Sequence, residues 1–193
     1  MAKSESAVFK LPDSGDRRFF KTGSKRDLAE GKGRLDLMPN SIVAELYLYL
    51  LAVTDKGDPM QLMAENNNVM LSDVYSSIDA YIYGGDTGMI LDAIIKFAVY
   101  RYNSLETALL EVARHFEAGA KKYDDRNWEK GQPLHVFVDS GLRHLVKWTR
   151  GDQDEPHDSA FLWNMMCLLW THDRYPELRD LPFNPDYKLG KRE

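Results

Sequence analysis

The sequence predicts an all-α fold, a helical bundle, and three observations carry that prediction. From Ile42 onward, apolar residues recur at three- and four-residue intervals, the spacing of one buried helix face. Breaks rich in glycine, proline or short polar clusters separate most of these periodic runs. The last run, His157 to about Thr171, is apolar nearly all round, as suits a central helix.

Residues 1–38 are charged and glycine-bearing, without sustained periodicity, and read as a flexible basic arm. Within it, KTGSKRDLAEGKGR (Lys21 to Arg34) is either a solvated stretch or a segment that orders over an anionic ligand. Pro39, Asn40 and Ser41 mark a helix start, with either polar residue able to cap free amides. Ile42, Leu46, Tyr49 and Leu50 give the helix its stripe. Breaks follow at Lys56 to Pro59, at Asn66 to Asn68 and at Gly84-Gly85. Between the last two, Val69 to Tyr83 is a helix or, given its β-branched and aromatic content, a strand. Met89 to Tyr102 and Ser104 to Tyr123 are the next helices, separated from Leu134 to Arg150 by the loop DDRNWEKGQP. Gly151 closes that last helix in a left-handed conformation, and Pro156 opens the final one. After Tyr175 three prolines predict an irregular strap.

Composition bounds the function. The chain has 193 residues, a length that suits one domain, with or without an embedded insertion. A net charge of -5 argues against a duplex nucleic-acid binder, which normally shows a basic face. The single Cys167 excludes an intramolecular disulfide and a multi-cysteine zinc site, and its apolar neighbours predict burial. No segment has the length of a membrane span or the pattern of a signal peptide, so a cytoplasmic address is expected.

Several constellations point to chemistry. Glu111 and His115 are helix-surface neighbours, with Glu117 on the other flank of the stripe; such carboxylates either hold a metal or face water. The loop sets Lys121, Lys122, Arg126 and Lys130 around Asn127-Trp128. An exposed Trp there would stack a base beside phosphate-binding cations; a Trp folded inward would plug the core. Asp139 and Arg143 have the spacing of an intrahelical ion pair, and His144 follows them. Glu155 and Asp158 form an E-x-x-D pair able to converge on one cation, although carboxylates also favour helix N-termini and Asp154 is a natural cap. Asn164, a polar exception on the last helix and on one stripe with His157, is either a cross-link between helices or part of a ligand site. Two His-Asp dipeptides, His157-Asp158 and His172-Asp173, weakly suggest an HD-type phosphohydrolase, but no helical aspartate follows either.

The run EAGAKKYDDRNWEKGQPLHVFVDSGLRHLVKW, Glu117 to Trp148, resembles a phage-associated family of dATP/dGTP diphosphohydrolases, the MazZ-like proteins. The shared pattern is G-A-x-K-Y-x-x-R-N-W-E-K-G followed by D-S-x-x-R-H. GKGRLDLMP, DEPHDSAFLWNMMCLLWT and Pro176-Glu177-Leu178 extend the likeness over residues about 31–46 and 104–183. That family is similar to MazG-type all-α nucleoside-triphosphate pyrophosphohydrolases. The resemblance implies Mg²⁺- or Mn²⁺-dependent cleavage of purine deoxynucleoside triphosphates to monophosphate and pyrophosphate, by a homo-oligomer in the cytoplasm, the host's if the chain is phage-encoded.

It also implies roles. Metal would fall to Glu111, Glu117, Asp139, Glu155 and Asp158, with Glu117 or Asp139 orienting the attacking water. Lys122, Arg126 and Lys130 would hold phosphates, and Asn127 and Trp128 the base or sugar. Tyr123, Arg143, His144 and Asn164 complete the substrate set. MazG-type sites pair an E-x-x-E with an E-x-x-D; Glu155 and Asp158 match the second, whereas Glu111, Arg114 and Glu117 depart from the first. Compact relatives make residues 47–103 a helical insertion beside the motif-bearing helices of 104–173. Its aromatic runs YLYLL and FAVYRY must pack on either the bundle of the same chain or a second subunit, and the subunit interface is the favoured host. A non-catalytic nucleotide-binding or interaction protein on the same scaffold is the alternative.

Overall fold

The computed structural model describes residues 15–54 and 71–187; the expected breaks at Lys56 to Pro59 and Asn66 to Asn68 lie outside them. The chain divides into two compact units, residues 1–32 and 33–193. In the first, a two-stranded antiparallel hairpin, β1 (Arg17–Phe19) and β2 (Lys25–Asp27), pairs Arg18 with Arg26. The Gly23 N–H donates to the Phe20 carbonyl at 2.8 Å in its turn, and Arg17 reaches Asp27 at 3.0 Å. Sequence periodicity missed this hairpin because three-residue strands are too short to show alternation.

Among the described residues the second unit holds six α-helices: α1 (Asn40–Val53), α2 (Leu71–Gly84), α3 (Thr87–Tyr102), α4 (Leu105–Tyr123), α5 (Leu134–Arg150) and α6 (His157–Arg174). None is long and apolar enough to cross a membrane. The all-α reading therefore holds, and α2 is a helix.

Local chemistry explains most boundaries. Asp86 caps α3 through the Gly88 N–H at 2.9 Å, and Ser104 caps α4 through the Thr107 N–H at 3.1 Å. Gly151 ends α5 at φ 87°, the expected left-handed closure. Two expected caps are corrected. Pro39 occupies the N-cap of α1 in place of Asn40 or Ser41, and Pro156 that of α6 in place of Asp154; neither proline offers a side-chain acceptor. The first turn of α5 borrows its cap from the tail strap, where Asp180 accepts the His135 N–H at 3.0 Å.

The core gathers on α6, fourteen of whose residues are buried, Cys167 among them. Helix α5 lies along it, with Gly141 facing Met165 and Asn164 of α6. Helix α3 buries nine residues, and Phe97 meets Phe161 of α6 and Trp148 of α5 with ring centroids 4.7 and 5.2 Å apart. Of the two hosts open to residues 47–103, the chain's own core takes α3, while Leu48 and Leu51 of α1 stay exposed. Each of the three described helices that overlap this range sends residues into that core: Ile42, Leu46 and Leu50 from α1, Val74, Ile78 and Tyr81 from α2, and Ile90, Ile94 and Phe97 from α3.

Candidate functional site

A cavity of about 530 Å³ opens between the C-terminal half of α4, the loop after it and the start of α6. Volumes of this size suit a small-molecule ligand. Apolar rings from Phe116, Trp128 and Trp163 line one part, while Lys122, Arg126 and Asn127 line another. Tyr123, Asp124, Gln132, Glu155 and His115 complete the polar wall.

The loop that builds this wall is conformationally costly. Asp124 (φ 79°) and Arg126 (φ 59°) both have positive φ, which side-chain-bearing residues rarely adopt. Arg126 is fixed by Glu129 and by the Asp36 carbonyl, and Lys130 donates to the Asn127 Oδ1 at 2.9 Å. The segment before α1 docks on α4 through backbone bonds. The Arg34 N–H reaches the Ala113 carbonyl at 2.9 Å, and the Gly33 N–H reaches Glu117 Oε2 at 2.9 Å.

Trp128 is a core residue, not an exposed platform. It is 6% exposed, donates its indole N–H to the Leu37 carbonyl at 3.1 Å, and meets the Trp170 and Phe116 rings at 4.9 and 5.6 Å. It also lines the cavity. Asn164 neither cross-links helices through its amide nitrogen nor lines the cavity: that nitrogen donates to the Ala160 carbonyl of its own helix at 2.8 Å. Lys122 lies over the Tyr123 ring at 4.8 Å, beside the opening. Lys130 and Arg143 are not cavity-lining residues.

The five carboxylates expected to share metal are not brought together. Glu111 pairs with Arg114, and Asp139 pairs with Arg143 on the exposed side of α5. Glu117 is buried and spends its oxygens on the Gly33 N–H and on Lys121 at 3.2 Å. Asp158 accepts from Arg101 Nε at 2.7 Å and from the Ser159 N–H at 2.9 Å. Glu155 instead faces two imidazoles, His144 at 3.4 Å and His157 at 3.5 Å. The E-x-x-D spacing failed as a guide because the turn before α6 sends its two acids to different partners. Among the described residues, His144, Glu155 and His157 form one group able to hold a metal ion, and Asp152, Asp154 and His157 another.

Sequence reasoning brought in His157 only through the HD-type dipeptide and the Asn164 stripe, and His115 only as a neighbour of Glu111. His157 is buried, with Nε2 2.8 Å from Asp154 Oδ1 and Nδ1 3.0 Å from His144 Nδ1. Lys147 and His157 hold the Asp154 carboxyl well below its usual range. Burial, reinforced by His144, lowers His115 to about 4, which keeps its imidazole neutral at pH 7. The signal for His157 was its position one residue after Pro156, at the start of the most apolar helix. The second His-Asp dipeptide lies elsewhere: His172 Nδ1 is 2.7 Å from the Tyr81 hydroxyl in the core.

Residues 98–181 match the family model described as dATP/dGTP diphosphohydrolase, N-terminal. The match supports kinship with that family over this stretch. No curated protein and no solved structure matches the chain.

Proposed function

We propose that the chain hydrolyses purine deoxynucleoside triphosphates, dATP or dGTP, to the monophosphate and pyrophosphate with a divalent cation, Mg²⁺ or Mn²⁺. One observation carries this reading: every residue lining the cavity except Leu37 falls within the matched stretch 98–181. The part of the chain akin to a diphosphohydrolase is the part that builds a ligand-sized cavity.

In this reading Lys122 and Arg126 flank the triphosphate, while Asn127 and Tyr123 meet the base or sugar beside the rings of Phe116 and Trp163. Water attacks the α-phosphorus, the bond from that phosphorus to the bridging oxygen breaks, and pyrophosphate leaves. A divalent cation supplies charge neutralisation and water activation. The dispersed carboxylates do not fit one; Glu155 with His144 and His157 does, at the cavity edge. His115, neutral by burial, offers a proton acceptor on the same wall. Kinship with phage MazZ-like and MazG-type enzymes and a cytoplasmic address belong to the same proposal. So does a homo-oligomer, supported by the exposed Leu48 and Leu51 on α1.

The dispersal of the expected carboxylates favours a second reading, a nucleotide-binding protein without turnover. Product analysis across the dNTPs and NTPs with Mg²⁺ or Mn²⁺ decides. Pyrophosphate released from dATP or dGTP supports hydrolysis, binding without turnover supports the second reading, and tripolyphosphate would mean HD-type chemistry.

A further inference from the structure

Three donor atoms meet at the junction of α5 and α6. His144 Nδ1 and His157 Nδ1 are 3.0 Å apart, and Glu155 Oε1 lies 3.4 Å from the first and 3.5 Å from the second. Bonds of 2.0–2.2 Å at octahedral or tetrahedral angles separate neighbouring ligand atoms by about 2.8–3.6 Å. All three edges of the triangle fall inside that range.

The hydrogen-bond inventory makes the same point. Asp154 only accepts, so His157 Nε2, 2.8 Å away, donates to it. His157 Nδ1 in turn faces His144 Nδ1 and a carboxylate oxygen that only accepts. Three atoms able to bind one cation thus face one another. A cation at the centre serves all three. The second shell is in place as well: Asp154 is itself anchored by Lys147 Nζ at 2.8 Å, the carboxylate–histidine arrangement that orients a ligating ring. The rival group, Asp152 with Asp154, has its acids already paired with Arg150 and Lys147, whose charge opposes a cation.

We infer that His144, Glu155 and His157 form a binding site for a first-row transition-metal dication such as Zn²⁺, Co²⁺ or Mn²⁺, which they take in preference to Mg²⁺. Two imidazole nitrogens with one carboxylate suit these metals, whereas Mg²⁺ prefers an all-oxygen shell. His157 is 1% exposed and Glu155 43% exposed at the cavity wall, so the site is closed on the helix side and open toward the cavity. Open positions distinguish a reactive metal from a structural one. The site deepens the reading above, but its metal binding is measured without nucleotide or turnover.

The test uses the full chain stripped with a chelator and titrated with Co²⁺, Zn²⁺, Mn²⁺ and Mg²⁺. Visible Co²⁺ bands, calorimetry and elemental analysis report binding. About one equivalent of Co²⁺ or Zn²⁺ is expected, with imidazole-ligated bands and Mg²⁺ at least about tenfold weaker. Glu155→Gln and His144→Ala should abolish the bands while helical circular dichroism persists. Asp154→Asn should weaken binding by about 10–100-fold. His157→Ala is the riskier variant because the ring is buried, so the partly exposed Glu155 and His144 carry the test. Absence of bound Co²⁺, equal affinity for Mg²⁺, or full binding by Glu155→Gln and His144→Ala would each overturn the site. Pyrophosphate release without such binding would sink the metal site and leave the hydrolase reading standing.

Discussion

His115 shows how burial sets the state of a side chain. Its imidazole is lowered from 6.5 to about 4 because its surroundings oppose a charge, His144 adding to the effect. Above pH 6.5 the ring is neutral in both folded and unfolded chains, and the burial is tolerated fully. As pH falls from 6.5 toward 4, the unfolded chain takes up a proton that the folded one refuses, and stability declines by up to about 3 kcal/mol. His144 and His172 are lowered in the same direction, so His115→Gln should flatten only part of the slope in denaturant melts run with chelator. An unchanged slope would mean that His115 stays protonatable in the fold. Trp128 makes the complementary case. Trp128→Ala should lower stability by about 3–5 kcal/mol, the cost of emptying a large core site. Trp128→Phe should cost about 1–3 kcal/mol, by orphaning the Leu37 carbonyl. Urea midpoints separate the two, and a stable Ala variant would place the ring outside the core.

At the scale of elements, the segment before α1 is held against α4 by a glycine that cannot be replaced cheaply. Gly33 has φ 84°, and a Cβ there would lie 2.9 Å from the Ala113 Cβ and 3.0 Å from the Arg114 backbone nitrogen. Gly33→Ala should therefore cost about 1–3 kcal/mol for the conformation alone, with more from the displaced backbone. Hydrogen exchange at the Gly33 and Arg34 amides should rise in the same variant. A second device lies between α1, α2 and α3, where Asp92 accepts from Ser77 Oγ at 2.6 Å, pairs with Lys96 at 2.6 Å and receives the Tyr49 hydroxyl at 3.3 Å. A nearly buried carboxylate so surrounded ties the three helices to one another.

For the whole 33–193 unit, the consequence is that α2 and α3 are not removable. Replacing residues 71–102 with a short flexible linker uncovers Phe161 and Trp148, which Phe97 now covers. The product should be molten or insoluble at every concentration, with no cooperative unfolding transition. A soluble, cooperatively folded species of smaller subunit number by light scattering would return these helices to a subunit interface.

The sequence by itself determined the helices, because a buried stripe repeats every three or four residues whatever it packs against. It also determined features set by near neighbours: Gly151 ends α5 in the left-handed region, and Asp139 pairs with Arg143 one turn on. The cation-bearing loop was legible for the same reason, since Lys122, Arg126 and Asn127 are close in sequence and line one cavity. What only the tertiary structure decided depends on residues far apart along the chain. Whether Trp128 faced water or the core turned on Leu37, 91 positions away. Whether Glu155 and Asp158 converged turned on Arg101 and on His144 of another helix, each of which draws one carboxylate to itself. Spacing fixes which side of a helix a group lies on, but the opposing helix supplies the charge that fixes its partner.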